Sequence, residues 1–263
     1  MDIEPKATDF HSLYPEGETY FYIPPFIAHR GLWSKTRPEN SLPAFWAAAD
    51  AGLGIELDVR LSADGEAMVF HDSSLSRMCG DDRDLADCTV DELQSLRLAG
   101  TEHHIPTLLE VLWTLGARTP VLVEMKVPLG AEGPLEARVA EIIDMAPAPA
   151  AVLSFNPHAL GFVQDIAPHI PRGLNLDSWR SHERGIKNAA QRRAYRNLRH
   201  INDAAPHFLS VSAEILPDAR VASARQAGLP ILGWTARSAA ELNRLALYAD
   251  SVMFEGVSPA LIA

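Results

Sequence analysis

The chain has 263 residues, of which 47% are apolar, and a formal net charge of −11. This length suits one α/β barrel with a large buried core. The acidic balance argues against general nucleic-acid binding, because such a surface must be basic to neutralise phosphates. No apolar run reaches the roughly 18 residues that a membrane-spanning helix requires.

The start of the sequence and its cysteines bear on location. Residues 1–22 are polar and acidic, and they lack the charged and then apolar order of a secretory signal. Cys79 and Cys88 are the only cysteines, which are too few for a disulfide framework. We therefore predict a cytoplasmic protein with an N-terminal extension, residues 1–22, and a single domain over residues 23–263.

Short β-branched runs alternate with helical patterns, which is typical of a parallel α/β fold. In chain order, the predicted strands are Ile23–His29, Gly54–Leu61, Pro120–Lys126, Ala151–Phe155, Ile170–Leu176, Phe208–Ser212, Ile231–Thr235 and Ser251–Glu255. The predicted helices between them are Leu42–Ala51, Leu108–Leu115, Leu135–Met145, His158–Ile166, Asp218–Ala227 and Ala239–Leu247. Eight strands with intervening helices favour a TIM-type (β/α)8 parallel barrel over an open sheet.

Two regions interrupt this alternation. A short extra strand, Ala67–His71, follows the second strand, and residues 73–105 then form a small insertion before the next helix. Residues 178–200 are rich in lysine and arginine, which is unusual in an acidic chain. That segment is either a solvated helix or a patch that weakly contacts an anionic membrane surface or attracts a phosphorylated substrate.

Polar and aromatic residues recur at the carboxyl ends of the predicted strands. In a barrel these ends meet at one edge, where active sites are assembled. Glu56 and Asp58 lie two positions apart in the second strand, so both side chains point to the same face. We therefore expect one site built from residues at these positions, namely His29, Arg30, Glu56, Asp58, His71, Glu124, Lys126, Trp234 and Glu255.

Three of these residues, Glu56, Asp58 and Glu124, offer hard carboxylate oxygens. Without a metal they would repel one another, and at least one would be protonated. A single Mg²⁺ or Ca²⁺ ion would relieve this repulsion and leave positions for water and a phosphate oxygen. The alternative for Glu56 and Asp58 is ion pairing with Arg60, the next residue on the same face.

The remaining charged residues suit the handling of protons and phosphate. His29 and His71 are of the type that serves as general acid and base at neutral pH. Arg30 and Lys126 would hold the negative charge of a phosphate. The alternative for Lys126 is an ion pair with Glu124 and no contact with substrate.

The segment AHRGLWSKTRPENSLPAFWAAADAGLGIELDVRLSADGEAMVFHD resembles the signature of the glycerophosphodiester phosphodiesterase family. In that family, His-Arg-Gly and Pro-Glu-Asn precede Glu-x-Asp-Val, Asp-Gly and His-Asp. Further along, IPTLLEVL, VEMK, LSF and GWT are similar to later elements of the family pattern. The resemblance is dense from Phe26 to Val127, and its motifs are specific in this order and spacing.

The resemblance implies a barrel enzyme that releases sn-glycerol 3-phosphate and an alcohol from a small phosphodiester, through a cyclic phosphate. It implies one divalent metal ion, Mg²⁺ or Ca²⁺. By analogy with phosphatidylinositol-specific phospholipase C, His29 would be the base and His71 the acid. The implied roles of the other residues are metal binding by Glu56, Asp58 and Glu124, phosphate binding by Arg30 and Lys126, and substrate contact by Trp234 and Phe155.

The chain departs from the family pattern near its end. Many members have Thr-Asp before a proline after the last strand, whereas this chain has Phe254 and Glu255. No role for Glu255 follows from the resemblance. The usual Asn after Trp-Thr-Val is also missing. The alternative for Trp234 is ordinary core packing, because aromatic residues are favoured in buried strands.

Two other functions stay open. The site would also suit a lysophospholipase D, which needs an apolar groove beside the metal, built for example from Leu32, Trp33 and Phe155. A non-catalytic barrel that binds phosphorylated ligands is the other alternative. The sequence leaves the leaving group, the metal and the oligomeric state open.

Overall fold

The computed structural model describes residues 22–178 and 201–261. Its strands are β1 (Phe26–His29), β2 (Gly54–Leu61), β3 (Ala67–Val69), β4 (Val121–Met125), β5 (Ala150–Ser154), β6 (Arg172–Leu176), β7 (Phe208–Ser212), β8 (Ile231–Ala236) and β9 (Ser251–Phe254). Every strand except β3 pairs in parallel with both neighbours, and β1 pairs with both β2 and β9. The eight parallel strands therefore close into a barrel, which confirms the predicted fold class.

Helices cover the outside of this barrel. The helices of the described residues are α1 (Leu42–Asp50), α2 (Ser76–Cys79), α3 (Val90–Ser95), α4 (Leu108–Leu115), α5 (Pro134–Met145), α6 (Pro157–Ile166), α7 (Ile201–Ala204), α8 (Ala219–Gln226) and α9 (Ala239–Leu245), of which α2 and α3 lie in the insertion. Several begin at a capping side chain; Thr107, for example, accepts the amide of Glu110. Of the helices in the described ranges, none has the length and apolar composition needed to cross a bilayer.

Alternation along the strands creates two apolar layers. Ile55, Leu57 and Val59 of β2 belong to the main cluster between sheet and helices. A smaller cluster of residues from the alternate strand positions includes Leu153 and Phe208 and fills the interior of the barrel. The two layers together bury the apolar side chains of the strands on both faces of the sheet.

The insertion, residues 73–105, has an apolar cluster of its own. This cluster includes Leu75, Leu85, Leu93 and Leu98, all of them fully buried. Strand β3 runs antiparallel to β2 and leads into the insertion, as predicted, although it ends two residues before His71. The insertion therefore packs as a small layer at the rim of the barrel beside β2.

Proline shortens the first strand, and two predicted regions fall largely outside the described residues. Strand β1 begins at Phe26, because the preceding Pro24 and Pro25 have no amide to donate to a ladder. The predicted extension lies outside the described residues except for Tyr22, and the basic segment lies outside them except for Ser178.

Candidate active site

The three predicted carboxylates meet at the carboxyl ends of neighbouring strands. Glu56 and Asp58 lie on β2, and Asp58 is directly opposite Glu124 in the ladder between β2 and β4. All three side chains are buried, and one oxygen from each lies within 4.8 Å of the others. This proximity follows from the period of two along β2 and from the parallel register with β4.

The arrangement leaves buried oxygens without hydrogen bonds. Oε1 of Glu56 and Oδ1 of Asp58 are inaccessible to solvent and accept no hydrogen bond. Burial, and then repulsion by Asp58 and Glu124, raises the pKa of Glu56 well above its usual range. Such oxygens are costly unless a cation binds them, and hard carboxylate donors suit Mg²⁺ or Ca²⁺. The residues present therefore fit a divalent metal ion.

Lys126 brings one positive charge into this group. It donates a hydrogen bond to Oε1 of Glu124, and its Nζ lies 2.7 Å from Oδ1 of Asp58 without hydrogen-bond geometry. Although burial opposes its ionisation, these two carboxylates raise the pKa of Lys126. Burial likewise opposes ionisation of Asp58, but the charges of Lys126 and Arg30 lower its pKa. Lys126 is therefore charged and pairs with two carboxylates, where the sequence suggested Glu124 alone.

Arg30 supplies the second positive charge. Its amide donates to Oε2 of Glu56 at 3.1 Å, and its Nη1 donates to Oε1 of Glu39 at 2.8 Å. Its Nε lies 3.2 Å from Oδ2 of Asp58. Burial opposes the charge of Arg30, but Asp58, Glu39 and Glu56 raise its pKa. The guanidinium of Arg30 is therefore a cation held in place beside Asp58 and Glu39.

The backbone of the loop after β1 turns so that its residues contact the carboxylates of β2. Gly31 has a φ of +79°, and a Cβ there would lie 2.9 Å from the carbonyl carbon of Ala44, so the turn requires glycine. Asn40, with a φ of 55°, donates from Nδ2 to Oδ2 of Asp58 at 2.9 Å. The loop thus reaches back to the carboxylates of β2.

His29 is held by a partner from the other end of the sequence. Its Nδ1 lies 2.6 Å from Oε2 of Glu255, while its Nε2 lies 3.9 Å from Oε2 of Glu56. The other oxygen of Glu255 accepts from Nε of Arg237 at 2.7 Å. The hydrogen bond from His29, although opposed by burial, lowers the pKa of Glu255 to about 2. The sequence placed Glu255 among the polar residues at the carboxyl ends of the strands, but it assigned no role to this residue, because Glu255 departs from the family pattern.

His71 has a carboxylate partner next to it in the chain. Its Nδ1 lies 2.6 Å from Oδ1 of Asp72, and its carbonyl accepts from Nε of Arg60 at 2.7 Å. Arg60 therefore bonds to the backbone of His71, and it makes no ion pair with Glu56 or Asp58. Burial, together with the charges of Lys126 and Arg30, lowers the pKa of His71 despite the opposing effect of Asp58.

Trp234 lies within β8, and Phe155 directly follows β5. Their rings meet edge to face, with centroids 5.8 Å apart and planes at 87°. Trp234 packs on the interior apolar cluster, and its buried Nε1 has no hydrogen-bond partner. Packing is thus part of its role, and its indole N–H is a donor without an acceptor in the protein.

Comparison with known proteins places the chain among phosphodiesterases. A sequence profile of the glycerophosphoryl diester phosphodiesterase family matches residues 29–254. A glycerophosphodiester phosphodiesterase from Caldanaerobacter subterraneus subsp. tengcongensis is 34% identical over 160 residues, which are 56% of this chain. The matched region spans 65% of that relative's length.

Solved structures share the fold over nearly the whole chain. A phosphodiesterase from Oleispira antarctica, solved in complex with the product sn-glycerol 3-phosphate, superposes with a TM-score of 0.76 and 26% identity. That match covers 91% of this chain and 96% of the other. The glycerophosphodiester phosphodiesterase of Thermotoga maritima gives a TM-score of 0.67 and 26% identity, covering 90% and 96% of the two chains.

Proposed function

Since this chain belongs to the glycerophosphoryl diester phosphodiesterase family, whose members are phosphodiester hydrolases, we propose that it hydrolyses glycerophosphodiesters to sn-glycerol 3-phosphate and an alcohol. The observation that carries the proposal is the meeting of three buried carboxylates, two histidines and two cations at one end of the barrel. The product complex of the Oleispira antarctica relative supports the same substrate class.

The cluster of three buried carboxylates at the ends of β2 and β4 is the proposed metal site. The family is metal-dependent in general, and Glu56, Asp58 and Glu124 would together hold one Mg²⁺ or Ca²⁺ ion. When bound there, the ion would offset the negative charge of the phosphodiester. The buried Oε1 of Glu56 supports this assignment, because it has no hydrogen-bond partner in the protein and would gain one ligand contact from a cation.

The two histidines carry the proposed proton transfers. His29 takes the proton of the glycerol hydroxyl that attacks phosphorus, and His71 gives a proton to the departing alcohol oxygen. One P–O bond forms and one breaks, which yields a cyclic phosphate and a free alcohol. Water then opens the ring, with the two proton transfers reversed, and sn-glycerol 3-phosphate leaves.

Each histidine is prepared for this task by a carboxylate. Because a carboxylate only accepts hydrogen bonds, Nδ1 carries the proton in both His29 and His71, and each Nε2 is free to exchange a proton. The lowered pKa of His71 disfavours its charged form in the free protein. The negative charge of a bound phosphodiester would favour that form, so substrate binding would prepare the acid.

Arg30 and Lys126 are the proposed phosphate contacts. Both are cations fixed by the same carboxylates that would hold the metal, so neither has to be ordered when substrate binds. Trp234 and Phe155, whose rings lie against each other, are proposed to contact the rest of the substrate.

An apolar groove beside the site favours a second candidate, a lysophospholipase D. The groove has a volume of about 250 Å³ and lies between the insertion and the segment after β4, with Lys126 and Arg60 among its lining residues. Its other walls are mainly apolar and include Leu61, Leu85 and Leu135. Leu32 and Trp33, which the sequence suggested for such a groove, instead line a separate cleft with Glu255.

The decisive experiment is a substrate panel after removal of metal by a chelator. Glycerophosphocholine, glycerophosphoethanolamine and lysophosphatidylcholine would each be assayed with Mg²⁺, Ca²⁺ and Mn²⁺ in turn. We expect metal-dependent turnover of the two glycerophosphodiesters; faster turnover of the lysolipid would favour the second candidate. No turnover of any substrate with any metal would contradict both and favour a barrel that only binds phosphorylated ligands.

Carboxamide variants test the metal assignment. Glu56→Gln and Glu124→Gln should fold and lose metal-dependent turnover, since each removes one charged ligand. Glu136→Gln is the matched control, because Glu136 is a fully buried carboxylate on α5 outside the site. Full activity of Glu124→Gln in excess chelator would show that the metal assignment is wrong.

A cytoplasmic location and a membrane contact through residues 178–200 stay predictions from the sequence. Flotation with anionic vesicles, comparing the chain with a variant in which Arg192, Arg193 and Arg196 are replaced by Glu, tests the second.

A further inference from the structure

Arg77 connects two carboxylates that belong to different parts of the chain. It lies on α2 in the insertion, and its Nε donates to Oδ2 of Asp72 at 2.5 Å. Its Nη2 and Nη1 donate to the two oxygens of Glu39 at 2.7 and 3.1 Å. One guanidinium thus bridges the loop after β1 and the segment after β3.

Each of these carboxylates holds a residue of the proposed site. The other oxygen of Asp72 accepts from Nδ1 of His71, and Glu39 accepts from Nη1 of Arg30. The hydrogen bonds therefore run without interruption from His71 through Asp72, Arg77 and Glu39 to Arg30.

The electrostatics agree with this geometry. Burial disfavours the charge of Glu39, but its contacts with Arg77 and then Arg30 lower its pKa. Burial also disfavours the charge of Asp72, but Arg77 and then His71 lower its pKa. Both carboxylates thus stay ionised, and an ionised carboxylate is what a histidine Nδ1–H or a guanidinium binds best.

We propose that Arg77 is a positioning residue through which the insertion orients His71 and Arg30 together. Arg77 contacts neither the three proposed metal ligands nor the reacting atoms. It acts by fixing the carboxylates of Asp72 and Glu39, which orient His71 and Arg30. The inference rests on the proposed function, in which His71 transfers a proton and Arg30 binds the phosphate.

The insertion offers a matched control in Arg83. The side chains of Arg77 and Arg83 are 47% and 44% exposed, and each pairs with two carboxylates. The partners of Arg83 are Asp81 and Glu92, both within the insertion. Loss of Arg83 should therefore disturb the insertion without disturbing the site.

Kinetics of Arg77→Ala and Arg83→Ala with glycerophosphocholine provide the first test. We expect Arg77→Ala to lower kcat by about 10- to 100-fold, the usual cost of losing a residue that orients a site histidine. The same variant should raise KM, because Arg30 would be held less firmly for phosphate binding. Arg83→Ala should stay within about twofold of the unchanged protein in both constants. Millimolar guanidinium should restore part of the lost kcat to Arg77→Ala and none to Arg83→Ala.

Double-mutant cycles assign the two arms of the bridge. The double variant Asp72→Asn/Arg77→Ala should lower kcat no more than the more damaging of its two single variants. The double variant Glu39→Gln/Arg77→Ala should likewise raise KM no more than the more damaging of its two single variants. Arg77→Lys, which keeps the charge but not the fork, should lie between the unchanged protein and Arg77→Ala. Equal effects of Arg77→Ala and Arg83→Ala, or additive losses in both cycles, would overturn the proposal.

A spectroscopic readout keeps this inference separate from the proposed activity. In ¹⁵N-labelled protein, the Nδ1–H signal of His71 should be protected from exchange, and it should broaden or vanish in Arg77→Ala but not in Arg83→Ala. Inactivity of the unchanged protein would overturn the proposed function, and an unchanged His71 signal in Arg77→Ala would overturn the positioning role.

Discussion

Nδ1 of His29 lies 2.6 Å from Oε2 of Glu255, a residue 226 positions away in the chain. Strands β1 and β9 are neighbours in the closed barrel, so their carboxyl ends bring this pair together. The carboxylate fixes which ring nitrogen carries the proton and leaves Nε2 directed at the carboxylate group, 3.9 Å from Glu56. Glu255 therefore gives the last strand a part in the site.

Glu255→Gln should lower kcat by about 10- to 100-fold, because the neutral amide no longer fixes the tautomer and orientation of His29. Arg237→Ala is the control: Arg237 is 65% exposed and only steadies the outer oxygen of Glu255, so its loss should have a small effect. Wild-type kcat in Glu255→Ala would refute this role.

Lys126→Met should separate the structural from the functional role of this lysine. Removing the ammonium leaves Asp58 and Glu124 without their shared cation. The free energy of unfolding, measured in chelator, should therefore fall by about 3 kcal/mol. Added Mg²⁺ or Ca²⁺ should stabilise this variant more than the unchanged protein, because the ion replaces the lost charge. Turnover should stay low even with metal. Equal stabilisation of both proteins by metal would count against a shared site.

His207 should make the fold sensitive to mild acid. Its Nδ1 accepts the amide of Arg172 at 3.1 Å, and burial, followed by the charge of Arg172, lowers its pKa to about 4. The unfolded chain takes up the proton near pH 6.5, so stability is full above that pH and falls as the pH drops towards 4. The loss should reach roughly 2 kcal/mol by pH 5.

Denaturant unfolding at pH 7 and pH 5 checks this prediction. His207→Gln keeps an acceptor for the amide of Arg172 and cannot be protonated, so its loss of stability between the two pH values should be smaller. His169→Gln is the control, because His169 is exposed and paired with Asp144 at the surface. Identical pH dependence of His207→Gln and the unchanged protein would contradict the assignment.

Gly173→Ala should destabilise the barrel and spare the chemistry. A Cβ at this position would lie 2.3 Å from Cε2 of Phe208 and 2.5 Å from Cδ2 of Leu153, so the interior would have to shift. Overpacking of this kind costs about 1–3 kcal/mol. Adding Phe208→Leu should recover part of the loss in denaturant unfolding. If Gly173→Ala is as stable as the parent protein, the interior is less tightly packed than the structure indicates.

The sequence by itself determined the barrel and the centre of the candidate site. The alternation of β-branched runs with helical patterns indicates parallel strands, and a period of two along a strand places Glu56 and Asp58 on one face. Parallel strands end at one edge, so Glu124 and Lys126 were expected beside them. Local periodicity is enough for these conclusions, because each depends on a few consecutive residues and on one rule of strand geometry.

Only the tertiary structure decided which side chains support that centre. Glu255 meets His29 because the barrel closes, and Arg77 meets Glu39, 38 positions away, because the insertion folds back over the loop after β1. The apolar groove likewise forms between the insertion and the segment after β4. No local pattern encodes these contacts, since they depend on closure of the sheet and on how an irregular segment packs against its rim.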